Sequence, residues 1–440
     1  MGPHDPPRRV IFLNRFFYPD LSPTSELLSD LAFALAKRGF HVAVITSRQK
    51  YENATARLPP LERCKGVDVW RVWTSRRGRS RLVGRSLDYL TFYLAAGWRL
   101  LRVARSGDII VAKTDPPLLS VVAAPIAWLT GAKLVNWLQD IFPEVAEELK
   151  VGGSLGGLAL RLTRPLRNKS LKAASANVVV GRGMAACLVG QGISRESIRV
   201  IENWSDGKLI RPVAATKSDL RQRWALDDRF VVGYAGNLGR AHDVETIIHA
   251  MSLLQERATE APANSIATQI MFLFVGGGAQ RARLEQEVLK RRLRNVRLHP
   301  YQPKKRLAAT LGLADVHLIS LNPKLEGLIV PSKFYSIVAA GRPTLFIGAA
   351  NGEIANLIDG AGCGFTIAPG DGKALAERIL HLASNPGLCE SLGAQARHAF
   401  EQHWDRSHAL AKWEELLKAV MGRTGEDEPP NSPPRSVPPQ

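Results

Sequence analysis

Two segments decide the fold of this chain: VVGYAGNLGRAHDVETIIHAMSLL, residues 231–254, and KLEGLIVPSKFYSIVAAGRPTLFIG, residues 324–348. Each carries a buried strand into a turn marked by glycine or proline and then into a helix. Turns of this kind present backbone N–H groups and a helix N-terminus to an anion. Two of them in one half of the chain predict a binding site for a nucleotide diphosphate.

Strands and helices alternate outward from these segments through the whole chain. In the first half, strands are predicted at residues 10–13, 40–46, 108–112, 133–138 and 176–180, with helices at 25–38, 87–103, 118–130 and 158–173. In the second half, strands are predicted at 230–235, 271–275, 296–299, 316–320 and 344–347, with helices at 243–256, 279–292, 303–312 and 332–340. A strand-helix-strand repeat at this spacing predicts parallel sheets.

This alternation predicts two doubly wound, Rossmann-like α/β domains that face each other across a cleft. A chain of 440 residues is also longer than one hydrophobic core usually supports. We predict an N-terminal domain over 1–205, a linker over 206–223, a C-terminal domain over 224–402, a helix over 403–421 that packs back toward the N-terminal domain, and a disordered Pro-rich tail over 422–440. Ligands of such sheets bind at the carboxyl ends of the strands, so the cleft would collect both sets of strand ends.

The charge of the chain is strongly positive, at +19, and is unevenly distributed. Nine arginines lie between residues 71 and 105, where the one acid is Asp88. Such a segment fits a solvated face with a loop, a patch that contacts a membrane surface, or a nucleic-acid site. Four scattered cysteines match neither a zinc site nor a disulfide framework, which predicts a reducing cytoplasm. The N-terminus has no apolar region typical of a secretory signal, and the longest uncharged run, 116–132, is too short to span a membrane.

Six motifs, in this order, resemble those of retaining glycosyltransferases of the GT-B fold and of sequence family four. They are FFYPDLSPTSELL, NWLQDIFPEVAEEL, VIENWSDG, YAGNLGRAHD, FLFVGGG and GLIVPSKFYSIVAAGRPTLFIG. The likeness is greatest to the bacterial enzymes of colanic-acid and O-antigen biosynthesis. It implies an acceptor-side N-terminal domain and a C-terminal domain that binds a nucleotide sugar. The reaction implied is transfer of a hexosyl group to a lipid-linked glycan, with retention and with neither metal nor cofactor.

The partners implied are a nucleotide sugar, a lipid-linked or glycan acceptor, and the inner face of the cytoplasmic membrane. The apolar, aromatic helix predicted over 87–103 has arginines at both ends, as a membrane interface requires. A core helix beneath a basic loop is the alternative. No recognised motif indicates nucleic acid. A nucleotide-sugar epimerase and a non-catalytic nucleotide-sugar-binding module remain alternatives to the transferase.

Two carboxylates are the candidate catalytic groups. Asp140 ends an apolar strand at the edge where ligands bind, after Gln139 in a position where many relatives have histidine. We expect Asp140 to orient the acceptor hydroxyl or the transferred sugar. Glu144 could share this role, or it could begin the helix after Pro143 as a favourable first-turn charge.

The donor is expected to bind at three turns. On the first, Ser22, Thr24 and Ser25 could hydrogen-bond phosphate, or Thr24 or Ser25 could cap the following helix. On the second turn, after the strand at 230–235, and on the glycine turn after the strand at 271–275, the implied donor-binding residues are Gly236, Asn237, Arg240, His242, Gly276 and Gly277. Glycine there lets the backbone approach a pyrophosphate, and Arg240 is the cation for it.

The third turn departs from the family pattern. Two glutamates eight positions apart are usual there, but Leu328 and Ser336 stand in those places. Their contacts must be supplied by other residues or lost. The replacements we expect are Glu326, with Ser332 and Lys333 gripping phosphate at a helix start. No D-x-D motif or other metal-ligand cluster is present in the sequence.

Overall fold

The computed structural model describes residues 9–51, 56–77, 82–151, 161–213 and 219–422. Two sheets organise these residues. The first has eight strands in the spatial order β3-β4-β2-β1-β5-β6-β7-β8, namely β1 Arg9–Leu13, β2 His41–Ser47, β3 Leu61–Cys64, β4 Val67–Val72, β5 Ile109–Lys113, β6 Lys133–Leu138, β7 Ala176–Val179 and β8 Ile198–Val200. The second has six strands in the order β11-β10-β9-β12-β13-β14, namely β9 Phe230–Ala235, β10 Ile270–Val275, β11 Val296–His299, β12 Val316–Ser320, β13 Thr344–Ile347 and β14 Gly364–Ile367.

Helices cover both faces of the two sheets. In the first half they are α1 Pro23–Lys37, α2 Leu82–Val103, α3 Leu119–Thr130, α4 Glu144–Glu148, α5 Thr163–Lys172 and α6 Arg182–Gly190. In the second half they are α7 Asp219–Arg223, α8 Glu245–Glu260, α9 Ile266–Gln269, α10 Arg281–Lys290, α11 Leu307–Gly312, α12 Lys333–Ala339, α13 Glu353–Ala361, α14 Gly372–Ala383, α15 Pro386–Ala399 and α16 Arg406–Gly422. Within the described ranges, none of these helices combines the length and the hydropathy that a bilayer crossing needs.

The first sheet is packed between two groups of helices. On one face α1 and α16 bury Leu28, Leu31 and Trp413 against the strands. The Trp413 ring lies edge-on to Trp137 of β6, with 4.8 Å between the ring centroids. On the other face α2 and α3 bury a second cluster that includes Phe92. Burial on both faces is the arrangement that parallel sheets require.

A third apolar cluster joins the two halves of the chain. Ile141 and Met184, which follow strands of the first sheet, pack with Leu325, Phe334 and Phe400 of the second half. The two sheets are therefore held together by a buried apolar contact on this side, and their carboxyl edges face each other.

The strands predicted from continuous apolar runs all appear, with bounds that differ by one residue at most. The sequence missed β3 and β4, and with them the antiparallel pairing of these two strands at the edge of a sheet whose other described pairings are parallel. It also missed β8, β14 and the helices α6, α7, α9, α14 and α15. Of the helix predicted over 158–173, residues 158–160 lie outside the described part of the chain, as does the predicted tail beyond Gly422.

One arginine of the basic segment belongs to the interior. The side chain of Arg71, on β4, is buried, and Nη2 donates to the carbonyl of Tyr18 at 2.8 Å. Nη1 lies 2.5 Å from the Glu62 carboxylate. Arg71 therefore neutralises an acid and ties the first βα turn to the sheet edge instead of adding to a surface patch. Arg79 and Arg81 lie outside the described residues.

Candidate active site

Contacts at two places join the facing edges of the sheets. After β6 and β12, the amide of Ile141 donates to the carbonyl of Leu328 at 2.9 Å. At the start of α1, Glu26 forms an ion pair of 3.0 Å with Lys304, which follows β11. The loops that follow β1, β5 and β6 consequently lie opposite those that follow β9, β10 and β12. The predicted site residues occupy these loops.

Asp140 is a half-buried residue at the edge of the first sheet. Its Oδ1 is buried and has no hydrogen-bond partner among the described residues. The pKa of Asp140 is raised to about 6, mainly by burial and also by the charge of Asp115, against the opposing effect of a hydrogen bond from Thr114. A carboxyl with this pKa and a free oxygen can accept a proton from a substrate hydroxyl near neutral pH. Gln139 contributes differently, because its amide donates to Asn203 at 3.0 Å.

Glu144 takes the structural role that the sequence left open. At the start of α4, its Oε1 lies 2.6 Å from Arg167 and 3.2 Å from Arg164, both on α5. The Gln191 amide donates to the same oxygen at 3.0 Å. These contacts fix the first turn of α4 against α5, while Oε2 of Glu144 has no hydrogen-bond partner among the described residues. Because two arginines already neutralise Glu144, we favour Asp140 as the candidate base.

The first βα turn is built differently from the sequence prediction. Helix α1 begins at Pro23 with Ser22 as N-cap, so neither Thr24 nor Ser25 is the cap. The Thr24 hydroxyl donates to the Asp115 carboxylate at 3.0 Å, and Ser25 donates to a carbonyl of the preceding loop. Ser22 Oγ is buried without a partner among the described residues. Of the three hydroxyls on this turn, that of Ser22 is the one without a hydrogen-bond partner among the described residues.

Lys113 holds this turn by a hydrogen bond and was not among the residues predicted from the sequence. Its Nζ donates to the carbonyl of Thr24 at 2.8 Å and lies 3.9 Å from the ring centroid of Trp137. Complete burial lowers the pKa of Lys113 to about 7, although the charge of Asp115 opposes the change. A lysine that ends the otherwise apolar strand IIVAK was the available signal.

Two glycine turns of the second sheet stack backbone against backbone. Gly236 and Gly276 have φ angles of +113° and +140°, which side chains other than glycine's rarely adopt. A Cβ added to Gly276 would lie 2.2 Å from the Gly236 carbonyl oxygen. The amide of Leu238 donates to the carbonyl of Gly277 at 2.7 Å. The close approach of these turns is therefore possible only without side chains.

Replacement of Gly276 by alanine is expected to lower the free energy of unfolding by about 2 kcal/mol or more, because steric overlap and an unfavourable φ act together. Urea unfolding would measure the change. Gly387→Ala is the matched control, since an added Cβ there meets nothing within 4 Å and the residue is in the first turn of α15. Equal stability of Gly276→Ala and the wild type would contradict the stacked arrangement.

Lys333 lies directly against the first glycine turn. Its Nζ is 4.0 Å from the ring centroid of Tyr234 and 2.5 Å from the Tyr234 hydroxyl. It also donates to the carbonyl of Asn237 at 3.2 Å, while the Asn237 side chain is exposed. Burial lowers the pKa of Lys333 to about 7. The amine is thus held where an approaching anion would favour its charged form.

His242 and Arg240 lie in the same turn but differ in exposure and in hydrogen bonding. His242 Nδ1 lies 2.6 Å from the carbonyl of Ser320. Burial lowers the pKa of His242 to about 3, and the charge of Lys333 lowers it further, so the imidazole is neutral at pH 7. Arg240 is exposed, and among the described residues its guanidinium has no ion-pair or hydrogen-bond partner. Arg240 is therefore free to contact a ligand, whereas His242 positions the loop.

Among the described residues, the side chains of Glu326 and Ser332 make no hydrogen bond to Tyr234 or to the Lys333 amine. The Glu326 carboxylate accepts from the amide of Glu353 at 3.2 Å, and burial raises its pKa. Both glutamates line a separate cavity of about 940 Å³ between the domains, where Glu353 also accepts from the amide of Gly183 at 2.8 Å. Ser332 is exposed just before α12, and its side chain makes no capping bond. The turn residue that reaches the glycine loops is therefore Lys333.

An exposed aromatic residue completes the second half of the site and was missed in the sequence. Tyr301 follows β11 and is 56% exposed. A Cβ added to Gly277 would lie 3.1 Å from the Tyr301 ring, so the ring packs against the glycine turn. A flat aromatic surface beside a phosphate-binding type of turn is suited to stacking of a base. An aromatic residue directly after a strand that ends at the ligand edge was the available signal.

Two doubly wound parallel sheets, with carboxyl edges opposed and glycine turns on one of them, define the GT-B class of fold. Two family profiles match the chain: "Glycosyl transferase 4-like domain" over residues 26–204 and "Glycosyl transferases group 1" over residues 216–399. The chain belongs to the GT-B glycosyltransferases of the family-four type and is a transferase enzyme.

Individual relatives agree with this assignment. The probable glycosyltransferase WbjE of Pseudomonas aeruginosa is 27% identical over 79% of this chain and 84% of its own. The putative colanic acid biosynthesis glycosyl transferase WcaI of Escherichia coli is 25% identical over 78% of this chain and 84% of its own. The structure of Anabaena HepE in complex with UDP-glucose has a TM-score of 0.69 at 19% identity, covering 93% of this chain and 99% of that one.

Proposed function

We propose that this enzyme transfers a hexosyl group from a nucleoside-diphosphate sugar to a lipid-linked glycan in exopolysaccharide or O-antigen biosynthesis, with retention and without a metal ion. The observation that carries the proposal is that two groups lie on the facing edges of the sheets. The backbone of Asp140 is bridged to Ile329 of the second half, and its Oδ1 has no hydrogen-bond partner among the described residues. Lys333, four residues after Ile329, places its amine on the glycine turn. The assignment of WcaI to colanic acid biosynthesis supports the polysaccharide context.

The second sheet supplies the groups that a leaving diphosphate requires. Lys333 and the unpaired Arg240 provide positive charge, and the backbone at Gly236 and Gly276 allows phosphate oxygens to approach closely. Cations fixed in this way can stabilise the charge that develops on the diphosphate as the glycosidic bond breaks. The Tyr301 ring lies beside the same turn and is available to the nucleobase. The UDP-glucose complex of HepE supports a donor of this class.

The first sheet supplies the acceptor side. The Asp140 carboxyl can take the proton of an acceptor hydroxyl, because its pKa of about 6 leaves it largely ionised at pH 7. Retention would follow if the hydroxyl attacks from the face that the diphosphate leaves. An acceptor carried on a lipid fits α2, whose outer side chains include exposed leucines and Trp98 between arginines. We propose that the enzyme works on the cytoplasmic surface of the membrane.

Thermal unfolding in the presence of UDP, GDP, dTDP or a short RNA tests the donor half of this proposal. A ligand at a hundredfold its dissociation constant stabilises the folded state by roughly 2.7 kcal/mol. We expect one of the nucleotides to raise the unfolding temperature and the RNA to leave it unchanged. A rise with RNA alone at low salt would overturn the proposal.

Product analysis separates transfer from its alternatives on the same scaffold. With a glycan acceptor, the proposal expects nucleoside diphosphate and an elongated glycan with the donor's anomeric configuration. Conversion of the donor sugar without an acceptor would indicate an epimerase. Donor binding without turnover, with every acceptor supplied, would indicate a binding module.

A further inference from the structure

One side of helix α2 exposes a continuous apolar stripe. Its members recur every three or four residues, as one helix face requires, and they are Leu87, Leu90, Leu94, Trp98 and Leu101, between 41% and 66% exposed. The opposite side of the same helix is fully used by the core, where Phe92, Ala96 and Leu100 are buried. The core-helix alternative therefore accounts for only half of α2, and the exposed half needs a different explanation.

Two neighbouring helices extend this stripe. On α3, Trp128 is 81% and Leu129 is 64% exposed, and at the start of α5 Leu162 and Leu166 are 71% and 55% exposed. Helix α3 packs against both α2 and α5, and it is tied to α5 by a hydrogen bond of 2.8 Å between Ser120 and Ser170. We call these nine side chains of α2, α3 and α5 the apolar face. They are half of the eighteen large apolar residues that are exposed in the described part of the chain.

The charges on the helices that form the apolar face are mostly positive, and the acids beside α5, Glu144 and Glu147 of α4, are paired with Arg161, Arg164 and Arg167. The Arg102 guanidinium lies 4.4 Å from the ring centroid of Trp98. Arg85 and Arg99 are also on α2, and Arg105 lies two residues beyond its end. The one acid of α2, Asp88, is buried and accepts from the Arg77 amide at 3.0 Å. Helices α3 and α5 contain no acid. Leucine and tryptophan bordered by arginine is the composition of a helix that lies in the interface of an anionic membrane.

We propose that the apolar face docks on the surface of an anionic phospholipid bilayer, with Leu94, Trp98 and Trp128 in the headgroup–acyl boundary and the arginines at the phosphates. This inference deepens the membrane part of the proposed function. The end of α3 opposite Trp128 supports it, because Leu118 and Leu119 line a small cavity together with Asp140. An acceptor held in the bilayer would approach the candidate base along α3.

Sedimentation of the full chain with phospholipid vesicles tests this surface. We expect binding to vesicles of phosphatidylcholine mixed with phosphatidylglycerol and much less to phosphatidylcholine alone. The double variant Leu94→Gln/Leu129→Gln is expected to bind about tenfold more weakly or worse, since two apolar side chains leave the interface. The control Leu209→Gln/Leu289→Gln, with 41% and 77% exposed leucines away from this face, is expected to bind as the wild type does.

The arginines give a second, independent measurement. Arg102→Gln/Arg105→Gln should reduce binding by about fivefold for each arginine, and added sodium chloride should reduce the wild type's binding in parallel. Equal binding of all variants, or equal binding to neutral and anionic vesicles, would overturn the proposal. So would self-association in solution that Leu94→Gln/Leu129→Gln abolishes, because the face would then be an interface between two copies.

Failure of this surface and failure of the proposed function are distinguishable. Thermal stabilisation by a nucleoside diphosphate requires no membrane. Nucleotide binding and transfer without vesicle binding would leave the function intact and remove the docking surface. Vesicle binding that depends on the apolar face, with no response to any nucleotide, would leave the docking surface intact and remove the proposed function.

Discussion

Replacing Lys333 by methionine is expected to weaken the binding of the donor's nucleoside diphosphate by about ten- to a hundredfold. The amine lies on the Tyr234 ring and at 3.2 Å from the Asn237 carbonyl, so it is fixed at the glycine turn before the ligand arrives. A charge-assisted contact with a phosphate typically contributes about 1.5 to 3 kcal/mol. Methionine keeps the length and the apolar stem of lysine and removes only the charge. Calorimetric titration with the nucleotide that stabilises the wild type would measure the loss.

The pH dependence of this binding gives a second signature. The pKa of Lys333 in the free enzyme is lowered to about 7, so above that pH the amine must take up a proton when the diphosphate binds. Wild-type affinity should therefore fall by about tenfold for each pH unit above 7, and the Lys333→Met variant should lose this dependence. Lys324→Met, an exposed lysine nine residues earlier, is the control. Unchanged affinity in Lys333→Met would remove Lys333 from the donor site.

Replacing Asp140 by asparagine is expected to lower kcat by about a hundred- to ten-thousandfold, the usual contribution of a general base. The amide keeps the shape of the carboxyl and cannot accept the proton of the acceptor hydroxyl. Donor affinity should hardly change, because Asp140 lies on the first sheet and the proposed phosphate contacts lie on the second. In the wild type, kcat/KM should fall as pH drops through about 6, where Asp140 becomes protonated. Initial rates across pH would measure both effects.

Stability separates this loss of activity from unfolding. The pKa of Asp140 is raised in the folded state, so its ionisation opposes folding as pH rises from about 4 through 6. Asp140→Asn should therefore be more stable than the wild type at pH 8 by up to about 3 kcal/mol, and the difference should disappear below pH 4. Glu144→Gln provides the opposite control, because it disrupts the ion pairs with Arg164 and Arg167 and should cost stability while sparing kcat. An active Asp140→Asn enzyme would exclude Asp140 as the base.

The buried strands could be predicted because their side chains leave little choice. IMFLFV is apolar on both faces, VHLIS is apolar apart from His317 and Ser320, and both are bounded by turn residues, which is typical of a parallel sheet covered by helices on both sides. β3 and β4 could not be recognised in this way. LERC is a short edge strand with exposed leucine and charged residues, and its pairing depends on the neighbouring β4.

Motif spacing located the loops of the candidate site but could not decide which side chains meet. Glu326 lies seven residues from Lys333 in sequence, yet its carboxylate contacts Glu353 in another cavity. Glu144 follows Asp140 by four residues, yet arginines of a helix some twenty residues away neutralise it. Lys113 and Tyr301 have no motif of their own, because their roles depend on packing against Thr24 and Gly277. Partner choice of this kind arises from tertiary structure and is not encoded in local spacing.

Helix α16 has a consequence for the biogenesis of the protein. Its residues Leu410, Trp413 and Leu417 are buried in the same cluster as Val10 and Trp137, although synthesis of the first sheet is finished some two hundred residues earlier. While the ribosome is still translating the second half, the nascent first half therefore has an uncovered apolar surface. Domains usually fold in order as they emerge. Here the first domain to be made is the last to be completed, and a chain that terminates prematurely before α16 exposes that surface permanently to chaperones and proteases.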